Sequence, residues 1–251
     1  MFTSNPFAEL TVFLSPWVMQ AYIVLMILAV GIGTVFDVLH KSSGRYFTRQ
    51  REKSKAAATR PLSGGDIASL AVRTVASEIA ASGESRAGRR VSHVLMSYGF
   101  LFYVTATIVT IFAFPTEARP PALAPLLWNV GVLMILIGGY WFFFLLRVDV
   151  SHERHSPFRL VRADLFIVTL LASVTFALIW EIVQAAHGVS AISLFFFVLY
   201  IVFTTLLFVS VPWSKFAHMF FKPVVAFQRR VEEANGSSSL PTPADVDNIR
   251  R

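Results

Sequence analysis

Long apolar stretches alternate with polar segments along this chain. Five of the apolar stretches carry almost no charge, and about 20 helical residues suffice to cross the hydrocarbon core of a bilayer. Backbone groups find no water in lipid, so spans of this kind form helices. The pattern predicts an all-α integral membrane protein with five transmembrane helices, in which the last four form the cofactor-bearing bundle. The predicted spans are about Pro16–Leu39, Ser92–Phe114, Leu126–Leu146, Asp164–Ala186 and Ala191–Phe221.

The polar segments predict the domain organisation. Residues 1–223 form the transmembrane domain, which includes a hydrophilic segment at 40–91. Within that segment, apolar residues recur at helical spacing over Gly65–Ala81, and Asp66 can cap the helix that they predict. This helix either lies on the membrane or docks a soluble partner; a solvated linker held to acidic lipid by its basic residues is the open alternative. The tail at 224–251 has the Asn, Gly, Ser and Pro content of a disordered cytoplasmic end.

The positive charges lie almost entirely on one side of the predicted spans. All but one of the 22 Lys and Arg residues fall in 40–91, in 147–163 or from Lys215 to the end of the sequence, and Arg119 is the exception. Cytoplasmic loops of membrane proteins carry such an excess. We therefore expect a multi-pass protein of the cytoplasmic membrane with its N-terminus outside and its C-terminus in the cytoplasm. The net charge of +7 then reflects topology and lipid contact and not nucleic-acid binding.

The chain contains no cysteine, which excludes an iron–sulfur cluster or a disulfide within it. A redox role requires a histidine-held cofactor or a quinone, with clusters supplied by another subunit. His93 begins the second span and His218 lies near the end of the fifth, so both are predicted at the cytoplasmic face. Two neutral imidazoles at equal depth can hold one haem b, while two interfacial histidines with their tips in water are the alternative. Basic residues near this pair are candidates for pairing with haem propionates: Arg89, Arg90 and Lys215.

Two motifs carry a resemblance to a known family. The first is Arg90–His93 followed, after five intervening residues, by Gly99–Phe100. The second is the Pro, Ser, Lys and His pattern of Pro212–Pro223. Over about residues 16–223 the chain resembles the respiratory nitrate reductase gamma-subunit superfamily. That group includes the membrane subunits of heterodisulfide reductase-like and sulfite-reductase-linked complexes. The resemblance implies a cytochrome b-type anchor that exchanges electrons between quinone and a cytoplasmic enzyme.

The chain departs from that family at two positions. Members with two haems carry a second histidine ten residues after the first and another eighteen residues before the last, and this chain has Tyr103 and Tyr200 there. Ten helical residues rise about 15 Å, so both tyrosines lie toward the outer leaflet. The resemblance thus implies that the outer haem is lost and one haem b remains. A quinone or quinol could use the space, with hydrogen bonds from either tyrosine, Glu181 or His187; packed tyrosines that fill the volume are the alternative.

Within the superfamily, the chain most resembles the membrane anchors of adenylylsulfate (APS) reductases, because it is small, lacks cysteine and has the long segment 40–91. This implies cytoplasmic flavin and iron–sulfur subunits that interconvert sulfite plus AMP with APS and pass electrons to the quinone pool. We therefore expect an electron-transfer subunit of a complex and not a stand-alone enzyme. A haem-free docking anchor for such an enzyme and a small transporter remain open. Glu181, an ionisable residue within the fourth span, is the best candidate for proton handling.

Overall fold

The computed structural model describes residues 4–40, 43–80, 87–146, 160, 164–211 and 218–238, and within these ranges its regular structure is helical. Five of the described helices are long and apolar enough to cross a membrane, which confirms the all-helical prediction. The described α-helices are α1 Pro6–Glu9, α2 Pro16–His40, α3 Ser43–Ala56, α4 Gly64–Ala80, α5 Ala87–Ala113, α6 Leu123–Trp141, α7 Leu165–His187, α8 Ala191–Ser210 and α9 His218–Asn235. The helices long and apolar enough to span are α2, α5, α6, α7 and α8. A 3-10 turn at Leu10–Val12 follows α1, and a π-helical turn at Phe142–Leu146 extends α6.

The chain divides into two compact units. The first comprises Met1–Val35 and Ser82–Phe216, and the second comprises Phe36–Ala81 and Ala217–Arg251. Within the second unit, α3 and α4 pack against α9.

Glycines bring α5 and α6 of the first unit into close contact. A Cβ atom added at Gly131 would lie 2.6 Å from the backbone nitrogen of Tyr103 and 2.7 Å from the carbonyl oxygen of Gly99. About two turns further toward the end of α6, the hydroxyl of Ser92 donates a hydrogen bond of 2.8 Å to the carbonyl oxygen of Gly138. Small residues at such contacts let helix backbones approach, which compensates for the weak hydrophobic drive in lipid.

A short N-terminal segment closes one end of this bundle, which we call the α1 end. Asn5 caps α1 by accepting from the backbone N–H of Phe7, while its own side chain donates to the carbonyl oxygen of Phe114 at 2.9 Å. The backbone N–H of Asn5 donates to the carbonyl oxygen of Ala118, also at 2.9 Å. Phe7 and Leu10 are buried in the same core as the spans. The segment is therefore fastened to the loop between α5 and α6.

The last spanning helix is shorter than predicted. The apolar run from Ala191 predicts a helix to Phe221, but α8 ends at Ser210. Pro212 lies two residues further on, and proline lacks the backbone N–H that a continuing helix needs. Residues 212–217 lie outside the described part of the chain, and helix resumes at His218 as α9.

The second unit is a small helical assembly of α3, α4 and α9. The guanidinium of Arg230 on α9 donates to the hydroxyls of Thr74 at 3.1 Å and Ser77 at 2.8 Å on α4. Asn235, at the end of α9, donates from its side chain to the hydroxyl of Ser54 on α3 at 3.0 Å. The tail is predicted to be disordered from residue 224, but the structure shows α9 extending to Asn235. Three apolar residues of α9 are half-buried: Ala226, Phe227 and Val231.

The helix predicted over Gly65–Ala81 is confirmed as α4, within one residue at each end. Its cap is Ser63 and not Asp66 alone. The hydroxyl of Ser63 accepts from the backbone N–H of Asp66 at 3.2 Å, and the carboxylate of Asp66 accepts from the backbone N–H of Ser63 at 3.0 Å. The two residues thus form a reciprocal capping box, a motif that marks the start of a helix and is recognisable in the sequence.

Candidate cofactor site

His93 lies near the start of α5, at the end of the bundle opposite α1. Seven residues later on the same helix face, Phe100 packs against Phe208 of α8, with ring centroids 6.5 Å apart. Seven residues are close to two helical turns, or about 10 Å. The half-buried His93 side chain therefore lies on the α8-facing side of α5, about 10 Å along the helix from the Phe100–Phe208 contact.

The hydroxyl of Ser97, one helical turn away, lies close to the His93 ring. The Oγ atom of Ser97 lies 3.4 Å from Nδ1 of His93. When Nδ1–H donates to this hydroxyl, the lone pair is on Nε2. Nε2 is then the nitrogen that can bind a metal, because the hydrogen bond at one ring nitrogen decides which nitrogen is free. The residues present on α5 therefore fit one axial ligand of a haem.

The other members of the predicted haem site are only partly described. His218 is the first residue of α9, in the second unit, and its side chain lies outside the described part, as does Lys215. Arg89 is half-buried and donates to the carbonyl oxygen of Leu146 at 3.3 Å, and Arg90 is exposed. The pairing of the two histidines thus stays a prediction.

Tyr103 and Tyr200 meet in the centre of the first unit. The hydroxyl of Tyr103 donates to the hydroxyl of Tyr200 at 2.8 Å, and both side chains are buried. Trp180 stacks on Tyr200 with centroids 5.8 Å apart and an angle of 10° between the rings. On the other side, Trp128 lies 5.8 Å from the ring of Tyr103.

Aromatic rings fill the region where an outer haem would sit. Phe7 lies between Trp128 and Trp180, at centroid distances of 6.3 and 5.2 Å, and Phe197 lies 5.0 Å from Trp180. The hydroxyl of Tyr103 has its acceptor in Tyr200, whose own hydroxyl hydrogen-bonds to Thr204, and these rings occupy the surrounding volume. The residues present do not fit a second haem. We call Phe7, Tyr103, Trp128, Trp180, Phe197 and Tyr200 the aromatic core.

Glu181 is buried beside the aromatic core, with 2% of its surface exposed. Its Oε1 atom accepts a hydrogen bond of 3.0 Å from the side-chain amide of Asn129 on α6. The same amide donates to the carbonyl oxygen of Pro125 at 3.0 Å. Sequence reasoning singled out Glu181 but missed Asn129, although an amide side chain within an otherwise apolar span was the signal that could have found it.

A second polar connection leads from this region to the N-terminal segment. The indole N–H of Trp180 donates to the side-chain oxygen of Gln184 at 2.7 Å. The amide nitrogen of Gln184 in turn donates to the carbonyl oxygen of Pro6 at 2.8 Å and to the carboxylate of Glu9 at 3.0 Å. His187, the last residue of α7, is exposed and stands apart from this connection.

Comparison of the chain with protein-family models, with curated proteins and with solved structures finds no match. The functional argument therefore rests on the residues themselves.

Proposed function

We propose that this chain is the membrane subunit of a cytoplasmic redox enzyme and carries electrons between that enzyme and the quinone pool through one haem b. His93 and His218 would hold the iron, and Arg89, Arg90 and Lys215 would pair with the propionates. The observation that carries the proposal is His93 on the α8-facing side of α5, with Ser97 at its Nδ1. A haem with two histidine ligands supplies one-electron transfer and offers no open position for a substrate.

The aromatic core supports a single haem, because Tyr103 and Tyr200 stand where ligands of a second haem would be needed. The hydroxyl of Tyr103 donates to that of Tyr200, which in turn bonds to Thr204, so neither is turned to a separate ligand in this arrangement. The quinone interaction that we propose for these tyrosines, Glu181 and His187 therefore requires the tyrosine pair to part. By the resemblance noted above, the partner is a flavin and iron–sulfur enzyme of the adenylylsulfate reductase type.

The test is a dithionite-reduced minus oxidised spectrum of the full chain, purified from cells supplied with haem. We expect a sharp b-type α band in the wild type that is lost in both His93→Ala and His218→Ala. His152→Ala is the matched control, because it removes a histidine from the loop between α6 and α7, and it keeps the band. A band that survives in either ligand variant contradicts the assignment of the two histidines.

A haem-free docking anchor is the second candidate, and the second unit favours it. This unit packs α3, α4 and α9 together and displays exposed basic side chains, which suit an acidic protein surface. The exposed basic residues with described side chains are Arg49, Arg51, Lys53, Lys55, Arg60, Arg73 and Arg229. Co-purification of flavin and iron–sulfur absorbance with the wild-type chain, in samples without a haem band, favours the anchor. Loss of that absorbance when Arg51, Lys53 and Lys55 are all changed to Glu places the docking on α3.

A further inference from the structure

Two buried oxygen atoms of one side-chain pair lack hydrogen-bond partners among the described residues. The amide nitrogen of Asn129 uses its two hydrogens on Glu181 Oε1 and on the carbonyl oxygen of Pro125. The remaining oxygens, Oδ1 of Asn129 and Oε2 of Glu181, are both buried and unpaired. Both are acceptors, so neither can satisfy the other while Glu181 is ionised. Buried polar atoms are nearly always paired, so this double vacancy requires an explanation.

The surroundings of Glu181 favour its neutral form. From α6 it faces the uncharged Asn129, and Trp180 beside it on α7 stacks on the hydroxyl-bearing ring of Tyr200 from α8. The N-terminal segment contributes Glu9, a carboxylate that Gln184 links to the same end of α7. An ionised carboxylate buried with one neutral donor is costly.

We propose that Glu181 carries a proton on Oε2 and that this O–H donates a hydrogen bond to Oδ1 of Asn129. Together with the bond already present from the Asn129 amide to Oε1, this closes a cyclic pair between a carboxylic acid and a carboxamide. One proton thereby satisfies both of the unpaired oxygens. The pair is a proton-binding site within the α6–α7 contact, and it goes beyond the proposed function because it needs neither haem nor partner.

A crevice beneath α1 borders Asn129 and is too narrow to hold a water molecule. Residues of α1 line this crevice together with Thr110, Pro125, Trp128 and Asn129. The N-terminal segment, which Asn5 fastens, thus covers the Asn129 side of the pair.

Infrared spectroscopy of the full chain in lipid nanodiscs tests the proton. At neutral pH we expect a protonated carboxyl C=O band that shifts to lower frequency in D₂O. The band is absent in Glu181→Gln, whose amide can keep the cyclic pairing with Asn129 and so preserves the fold. It moves to higher frequency in Asn129→Leu, which removes the acceptor. The control, Glu117→Gln, changes an exposed carboxylate of the loop between α5 and α6 and leaves the band in place.

A neutral-pH spectrum that is the same in the carboxyl region for wild type and Glu181→Gln overturns the proposal, because Glu181 is then ionised.

Discussion

At the scale of single residues, Tyr103 and Tyr200 form a buried pair at the two positions where the resemblance implies histidines in members with two haems. Each phenol buries a large apolar ring, and the hydroxyl of Tyr103 donates to that of Tyr200, which itself bonds to Thr204. The pair joins α5 to α8, so its worth is measurable as a coupling between two side chains.

Tyr200→Phe leaves the hydroxyl of Tyr103 buried without its acceptor, and we expect a loss of about 1–3 kcal/mol in the free energy of unfolding. Adding Tyr103→Phe removes that stranded hydroxyl, so the double variant should recover part of the loss. Denaturant unfolding of the four proteins in detergent gives the coupling energy directly. Strictly additive single effects would show that the two hydroxyls do not interact.

Gly131→Ala places a methyl group 2.6 Å from the backbone nitrogen of Tyr103, so α5 and α6 must separate. We expect the free energy of unfolding to fall by about 1–3 kcal/mol, the usual cost of overpacking. Gly31→Ala on α2 is the matched control, because a Cβ there meets nothing within 4 Å, and it should be neutral or slightly stabilising. Equal thermal stability of the two variants in detergent would contradict the close approach of α5 and α6.

Sequence reasoning reached the ionisable residues of the site and missed their neutral partners. Glu181 and His93 are conspicuous in apolar helices, because a charge there is costly. Asn129 and Gln184 carry no charge and attract less attention, yet their amides decide how Glu181 and the N-terminal segment are held. Whether two side chains meet depends on the rotation of each helix about its axis, which hydropathy does not encode.

At the scale of elements, periodicity and length predicted the spans well, and boundaries less well. The apolar run that begins at Ala191 continues past Pro212, and composition alone did not separate α8 from α9. The start of α4 is clearer, because Ser63 and Asp66 carry a capping signal that is visible in the sequence.

The α4 cap predicts a pH dependence. The hydroxyl and backbone N–H of Ser63 both donate to the carboxylate of Asp66 and lower its pKa below the ordinary 3.8. A lowered folded-state pKa means that the stabilisation is complete above about pH 3.8 and is lost as the pH falls through the folded value. We expect amide protection in the first turn of α4, normalised for intrinsic exchange, to fall in that range.

Ser63→Ala removes one of the two donors and the acceptor for the Asp66 N–H. The α4 amides of this variant should be less protected at neutral pH and should depend less on acid. Hydrogen exchange followed by mass spectrometry resolves this turn from the rest of the chain. Acid sensitivity that is identical in wild type and Ser63→Ala would assign the effect to another group.

At the scale of the whole molecule, the distribution of Lys and Arg predicts the orientation. The natural absence of cysteine makes a direct test simple, because any introduced thiol is unique. In intact cells, a membrane-impermeant maleimide should label the Glu117→Cys variant and spare the Ser63→Cys variant. Both positions are exposed, so permeabilised cells should label both. Labelling of Ser63→Cys alone in intact cells would reverse the topology.

The two units differ in character. The first is a packed bundle with the aromatic core at its centre, and the second is a polar helical assembly with basic side chains. In the proposed function, the first unit carries the electrons, and in the alternative proposal the second unit docks the enzyme.

The most direct test of this account is the ratio of haem to protein in the purified full chain, measured by pyridine haemochrome and amino-acid analysis. We predict one haem b per chain. A ratio of two would contradict the packing of Tyr103 and Tyr200 as the substitute for an outer haem. A ratio of zero in cells with ample haem would contradict the electron-transfer role and leave the docking anchor.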